Sequence, residues 1–116
     1  MNTKLMNRNL RLVIDNNQKE EKQKYFFEKK ELKIILNLYA KMVSKGSWRD
    51  YGLSNSNKQV SFNVFRHASE NACFKICKNF KPKSRNLKYL IKDTNGLILK
   101  NSYDLNSLMN NLNNLI

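Results

Sequence analysis

The spacing of apolar residues changes from a helical period to a period of two near residue 59, and that change constrains the fold more than any other feature. From residue 59 onward apolar side chains alternate with polar ones, first in QVSFNVF, residues 59–65. The alternation recurs in CFKIC and LKYLIK, residues 73–77 and 87–92. Because successive side chains of a strand point to opposite faces, this period of two predicts consecutive strands, each with one apolar face.

The segment DTNG, residues 93–96, predicts a hairpin between the third of these strands and a fourth. Asp93 suits the first position of a type I turn, and Gly96 suits the left-handed position of a G1 bulge. A three-residue loop of this type pairs Lys92 with Ile98 and Ile91 with Leu99. The four segments therefore predict an antiparallel meander.

Residues 28–45 have the period of a helix instead. Apolar side chains recur at steps of three and four from Leu32 to Val43 and form one stripe. Glu31 suits the positive amino-terminal end of a helix, and Gly46 directly follows the last turn as a stop signal.

A second helical stripe lies in SYDLNSLMNNLNNLI, residues 102–116, where Ser102 or Asp104 suits the N-cap. The default role of such a stripe is to pack on its own sheet. The same spacing also suits a helix that binds a partner's groove or forms a homodimer seam. In that alternative the contacting side chains are Leu105, Leu108, Met109 and Leu112.

The pattern predicts an α+β fold, an antiparallel four- to five-stranded meander with two helices packed on one face, in the order β-α-β-β-β-β-α. The first strand of that order is KYFF, residues 24–27. The charged run DNNQKEEKQK has almost nothing to bury. We therefore expect residues 1–24 to be a flexible N-terminal tail and residues 25–116 to be a single small α+β domain.

The formal net charge of +13 favours a polyanionic partner. An alternative is codon drift in an AT-rich genome, because the chain contains 19 Asn and more Lys than Arg. Drifted charge should be spread evenly, whereas residues 58–100 carry +8 of the +13, with Glu70 and Asp93 as their acidic residues. The ten basic residues of that half are Lys58, Arg66, Lys75, Lys78, Lys81, Lys83, Arg85, Lys88, Lys92 and Lys100.

Strand parity places several lysines on the sheet face opposite the helices. We expect that face and the loop KNFKPKSR, residues 78–85, to contact phosphates, with Phe65 available to stack on a base. The predicted nucleic-acid contacts are Lys75, Lys81, Lys83, Arg85, Lys88, Lys92, Lys100 and Phe65.

Several other functions are not expected. Residues 1–15 lack the apolar core of a signal peptide and no run is long enough to span a membrane, which predicts a cytoplasmic protein. Cys73 and Cys77 are roughly 13 Å apart on a strand and cannot share a metal ion. His67 lies near Ser69 and Glu70 without the setting of an activated serine. We expect no enzyme activity, no metal and no cofactor.

The segment GSWRDYGL, residues 46–53, is either a structural corner or a recognition motif. Trp48 is large enough to close one end of a small core. We expect an ion pair from this segment to FRHASE, residues 65–70, either Arg49 with Glu70 or Asp50 with Arg66. Full exposure of Arg49 and Asp50 would favour a recognition motif instead. The residues assigned to this corner are Trp48, Arg49, Asp50, Tyr51, Arg66, Ser69 and Glu70.

Three stretches, LYAKMVSKGSWRDYGL, FNVFRHASENACFKICKNFK and GLILKNSYDL, together resemble the alphaproteobacterial family catalogued as domain of unknown function 2794. The resemblance covers roughly residues 25–113, and Trp-Arg-Asp-Tyr is its most specific part. It implies a bacterial cytoplasmic protein of unknown activity in which residues 1–24 are an appendage.

Two positions depart from that family's pattern. His67 stands where the family usually has a second arginine, and Cys77 stands where it has an acidic residue. These departures weaken any site built on His67 or Cys77. The matching polar positions are Arg49, Asp50, Arg66, Ser69 and Glu70.

These observations favour a small, non-catalytic module that associates with nucleic acid, with RNA or ribosomal particles preferred to specific DNA because no base-reading motif is visible. The alternative function is a protein-interaction adaptor or homodimer that uses the C-terminal helix.

Overall fold

A computed structural model describes residues 25–67 and 71–115 of the 116-residue chain. Five strands form one antiparallel sheet in the order β1-β2-β3-β4-β5, a simple meander, and the predicted α+β class is confirmed. The elements are α1 (Lys29–Ser44), β1 (Asp50–Asn55), β2 (Gln59–Phe65), β3 (Phe74–Asn79), β4 (Tyr89–Lys92), β5 (Ile98–Ser102) and α2 (Leu105–Leu115).

The order of elements differs from the prediction at the beginning of the chain. Residues 25–27 form a turn and an irregular segment, so the strand predicted over KYFF is wrong. Phe27 is buried in the core, and the Phe26 carbonyl accepts a hydrogen bond from Lys78 Nζ (3.2 Å). The additional strand is instead β1, which begins at Asp50 in the Trp-Arg-Asp-Tyr segment and continues to Asn55, and the order is α-β-β-β-β-β-α.

The core lies between one face of the sheet and both helices. Phe62 of β2 lies opposite Ile76 of β3, which lies opposite Ile91 of β4, and all three side chains are fully buried. Ile35 from α1 and Leu108 from α2 belong to the same buried cluster. Both helices therefore pack on one face of the meander, as predicted.

The hairpin between β4 and β5 has the predicted turn but a different register beyond it. Asp93 Oδ1 accepts hydrogen bonds from the backbone N–H groups of Asn95 and Leu97 (both 2.9 Å), and Lys92 lies opposite Ile98 as predicted. A bulge between Ile91 and Lys92 then shifts the pairing by one residue. Ile91 consequently lies opposite Lys100, and the predicted pairing with Leu99 is wrong.

Helix α1 ends where the sequence indicated. Gly46 has φ +78°, its N–H donates to the Val43 carbonyl (2.9 Å), and the Ser47 N–H donates to the Met42 carbonyl (3.0 Å). This left-handed glycine satisfies the last carbonyls of the helix and turns the chain toward β1.

No helix within residues 25–67 and 71–115 has the length and apolar character needed to cross a membrane.

A turn glycine, Gly96, and a strand glycine, Gly52, offer a matched test of the hairpin. Gly96 has φ +86°, a conformation that costs an L-residue about 1 kcal/mol, so Gly96→Ala should lower the free energy of unfolding by about that amount. Gly52→Ala is the control, because a Cβ there would meet Phe65 Cε1 at an ordinary 3.8 Å. Urea denaturation measures both variants, and equal effects would contradict the strained turn.

Candidate functional site

A buried ion pair fixes which face of the sheet the first helix covers. Lys78 Nζ lies 2.7 Å from Glu31 Oε1, and both side chains are less than one-tenth exposed (9% and 5%). The Tyr89 hydroxyl donates a hydrogen bond to Glu31 Oε2, and the Glu28 N–H donates to Glu31 Oε1 (2.6 Å). We call Glu31, Lys78 and Tyr89 the buried network; it joins the first turn of α1 to β3 and β4.

Each charge of the buried network has a partner, as buried charges require. Burial alone raises the pKa of the Glu31 carboxyl, but hydrogen bonds from Lys78 and Tyr89 outweigh it and hold that pKa below its ordinary value. Burial, together with the Glu31 carboxylate, raises the pKa of the Tyr89 phenol. Lys78 is therefore a structural residue and does not add to the basic surface counted from the sequence.

The face of the sheet turned away from the helices, here called the outer face, carries small and polar side chains. One row across the strands contains Gly52, Asn63, Lys75 and Lys92 in register, and the next contains Ser54, Ser61, Cys77, Leu90 and Asn101. This arrangement confirms the strand parity predicted for β2, β3 and β4.

Two lysines face each other on the outer face. Lys75 of β3 lies directly opposite Lys92 of β4, and both side chains are half-buried. Like charges in direct cross-strand register destabilise a sheet unless something compensates them. The register of β3 and β4 thus brings two positive charges together on the outer face.

The centre of the outer face is more closed than the sequence suggested. Cys77, Leu90 and Ser61 are only 1%, 4% and 7% exposed, although all three point away from the helices. Lys75 and Lys92 flank them, and long lysine stems cover apolar surface while the ammonium groups stay in water. Burial raises the pKa of the Cys77 thiol, which outweighs the opposing effects of a hydrogen bond with Ser61 and of the two lysines.

The acidic residues that the structure describes all have local structural roles. Glu31 belongs to the buried network, and Glu28 lies 4.0 Å from Lys30. Asp93 closes the hairpin turn, Asp104 accepts a hydrogen bond from the Ser107 N–H (3.2 Å), and Asp50 accepts one from the Tyr51 N–H (2.8 Å). Within residues 25–67 and 71–115, no ion pair therefore compensates Lys75 and Lys92.

The basic loop lies at one end of the sheet. Lys81, Lys83, Arg85 and Lys88 are exposed, and Arg85 stacks over the Tyr103 ring at 4.3 Å from its centroid. Asn79 Nδ2 donates to the Leu87 carbonyl (2.7 Å), and the Asn79 N–H donates to the Lys88 carbonyl (2.8 Å). These bonds fix the loop beside the last residue of β3 and the start of β4, at the end of the two strands away from Lys75 and Lys92.

Two residues predicted to contact nucleic acid, Lys100 and Phe65, differ from the expectation in register or in exposure. Lys100 is exposed, but its register opposite Ile91 aligns it with the helix-side residues at the sheet edge. The bulge causes this change in register, and the phosphate contact of Lys100 stays a prediction. Phe65 is half-buried, and its ring lies in contact distance of Gly52, where an aromatic residue fills the space beside a strand glycine.

The two aromatic residues of the Trp-Arg-Asp-Tyr segment, Trp48 and Tyr51, pack with the core. Trp48 is 3% exposed in the core, and Tyr51 stacks on Phe62 with ring centroids 4.7 Å apart. The Tyr39 ring lies edge-on to Tyr51 at 5.0 Å. Burial, and then Asp50 and Tyr51, raise the pKa of the Tyr39 phenol.

The ion pairs predicted for this corner have different outcomes. Asp50 and Arg66 do not form one among the described residues, where the pairs within 4.0 Å are the two already given. Ser69 and Glu70 lie outside the described residues, so the pair of Arg49 with Glu70 stays a prediction. Arg49 is exposed, and its N–H donates to the Phe65 carbonyl (2.8 Å).

The second helix uses its apolar stripe within its own domain. Leu105, Leu108, Met109 and Leu112 are at most 5% exposed and belong to the core cluster. In this conformation they are not available as a partner-binding stripe or homodimer seam.

The two cysteines are free thiols and are both buried, as expected of small packing residues. Cys73 Sγ donates to the Val64 carbonyl (3.3 Å). The described part of the chain contains no group of three or more His, Cys, Asp or Glu residues placed to hold a metal ion.

Sequence reasoning missed the buried network, although the sequence contains one signal for each of its three residues. The alternation Phe74, Ile76, Lys78 continues the apolar face of β3 and places the lysine inside. Glu31 has the helical spacing of Ile35, Leu38 and Met42 on the buried face of α1, and Tyr89 has the parity of Ile91.

A family model described as "Protein of unknown function (DUF2794)" matches residues 25–109. A search of the curated proteins and a search of the solved structures each found no match.

Two lysines on β3 offer a matched test of the buried network. Lys78→Met leaves the Glu31 carboxylate buried without its partner and should lower the free energy of unfolding by about 3 to 5 kcal/mol. Lys75→Met on the outer face removes a like-charge contact and should change it by less than about 0.5 kcal/mol. Chemical denaturation at neutral pH measures both, and equal losses would contradict the structural role of Lys78.

The lowered pKa of Glu31 predicts how stability depends on pH. A carboxyl whose pKa is depressed in the folded state contributes stability above its ordinary value of 4.5 and loses it as pH falls through the folded-state pKa. The stability difference between the wild type and Glu31→Gln should therefore be largest at neutral pH and shrink on acidification below 4.5. A difference that stays constant from neutral to acid pH would show that ionisation of Glu31 is not responsible.

Proposed function

The chain belongs to the DUF2794 family, and we propose that it is a small non-catalytic module that binds nucleic acid through the outer face and the adjoining basic loop. RNA, free or in ribosomal particles, is the proposed partner, and the bacterial cytoplasm is the proposed location. The observation that carries the proposal is the uncompensated pair formed by Lys75 and Lys92.

The lysine pair supports a polyanion because no acidic residue within residues 25–67 and 71–115 forms an ion pair with it. The described acidic residues cap helices, close a turn, belong to the buried network or, in the case of Asp50, accept the adjacent backbone N–H, and none forms an ion pair with these lysines. A phosphate group between the two ammonium groups would replace their repulsion with two attractive contacts. Binding would also release condensed counterions, which makes the affinity depend on salt.

The basic loop supports a ligand with several phosphates instead of a single small anion. Lys81, Lys83, Arg85 and Lys88 lie at the end of the sheet, and the Asn79 bonds hold the loop beside the strands that carry the lysine pair. A nucleic-acid backbone that crosses the outer face can therefore continue onto the loop.

The polar groups of the outer face favour RNA over a specific DNA sequence. Ser54 and Asn101 are exposed on this face, and Asn63 is half-buried with its Nδ2 3.3 Å from Ser54 Oγ. Such hydroxyl and amide groups suit sugar hydroxyls and phosphates, whereas reading DNA sequence requires a helix or ribbon with side chains directed at base edges. Of the two helices, α2 contains no Lys or Arg, and α1 carries Lys29, Lys30, Lys33 and Lys41 together with Glu31 and without Arg.

Paired substitutions test the proposal. Lys75→Gln combined with Lys92→Gln should weaken binding to a single-stranded RNA and reduce the slope of log affinity against log salt by about 1.4, because each lost phosphate contact contributes roughly 0.7. Fluorescence anisotropy across a salt series measures both quantities.

The matched control is Lys29→Gln combined with Lys33→Gln, which removes the same charge from exposed positions of α1. This control should keep most of the affinity and the slope. Equal losses in the two double variants would attribute binding to net charge alone, and a wild type that binds no RNA at low salt would overturn the proposal.

A further inference from the structure

The two edges of the sheet differ in how well they are protected against pairing with another strand. Strand β5 has a bulge opposite β4, and its exposed Lys100 adds charge to that edge. A bulge and a charged side chain both discourage an edge strand from pairing with a strand of another chain. Strand β1 forms the other edge with six residues in uninterrupted register with β2, and residues 50–57 contain no Lys or Arg.

The hydrogen-bonding pattern identifies which groups of β1 point outward. The Ser56 N–H donates to the Gln59 carbonyl (2.8 Å), which makes these residues a hydrogen-bonded pair. Such pairs recur at every second residue of an antiparallel ladder, so Ser54 and Gly52 also bond with β2. The backbone N–H and carbonyl of Leu53 therefore point away from β2, toward the outside of the sheet.

We propose that β1 pairs with β1 of a second copy of this chain across a twofold axis at Leu53. Leu53 would exchange two backbone hydrogen bonds with Leu53 of the second copy, and Gly52 would lie opposite its Ser54. Leucine then meets leucine on the helix side and small residues meet on the outer side, so the parity of both strands is preserved. At the start of the strand, the Asp50 carboxylate already accepts the Tyr51 N–H, which centres the pairing on Leu53.

Charge favours a second copy at this edge. Two chains of net charge +13 repel one another, and a stable contact requires a surface on which lysines do not face lysines. Strand β1 meets that condition, and the twofold register is self-complementary, as an isologous dimer requires. The dimer would join two five-stranded sheets and place both lysine pairs on one continuous outer face.

The inference is tested on the full chain, freed of nucleic acid, by light scattering coupled to size-exclusion chromatography over about a hundredfold range of concentration. The wild type should reach twice the chain mass of 13.7 kDa. Ser54→Lys places two like charges near the twofold axis, and Leu53→Pro removes an outward N–H that the β1–β2 ladder does not use. Both variants should stay monomeric at concentrations where the wild type is dimeric.

The control is Asn101→Lys, which adds the same charge in the same cross-strand row at the β5 edge. This variant should dimerise like the wild type, and circular dichroism should give all variants the same folded spectrum. A monomeric wild type throughout the range, dimers that persist in both β1 variants, or equal dissociation in the control would each overturn the inference. Since no nucleic acid is present, the outcome is independent of the proposed RNA binding.

Discussion

The buried ion pair between Lys78 and Glu31 determines how the sheet is used. It brings a lysine of β3 to the helix side of the sheet and ties the beginning of α1 to the central strands, while Tyr89 completes the carboxylate's hydrogen bonds. Its net contribution to stability is limited by the cost of removing two charges from water. Its structural consequence is larger, because a helix anchored at that position covers one face of the meander and leaves the other to polar residues.

The division into two faces explains why the outer lysines keep no acidic partner in the described domain. Glu31 is committed to Lys78, and Asp93 and Asp104 are committed to a turn and a helix end. Positive charge therefore accumulates where β3 and β4 run side by side and where the loop after β3 is fixed to the sheet. Association through the opposite edge, at β1, would extend this surface without covering it.

Most of the fold could be predicted from the sequence, because the change from a helical period to a period of two and the Asp93 to Gly96 turn are local signals. Strand β1 was missed because Gly52 separates its two apolar residues, Tyr51 and Leu53, and leaves too short an alternation. The register of Lys100 was missed because a bulge depends on packing between strands. The burial of Cys77 and of Lys78 likewise depends on which side chains meet across the sheet, and a single sequence does not specify those partners.

The central claim is that the outer face, and not the helical side, meets a polyanion. Backbone amide chemical-shift mapping during titration of the full chain with a short single-stranded RNA tests it most directly. The account predicts that the largest shift changes occur at Lys75, Cys77 and Lys92 and continue into residues 81–88. Changes confined to α1 and α2, or no saturable changes at low salt, would contradict it.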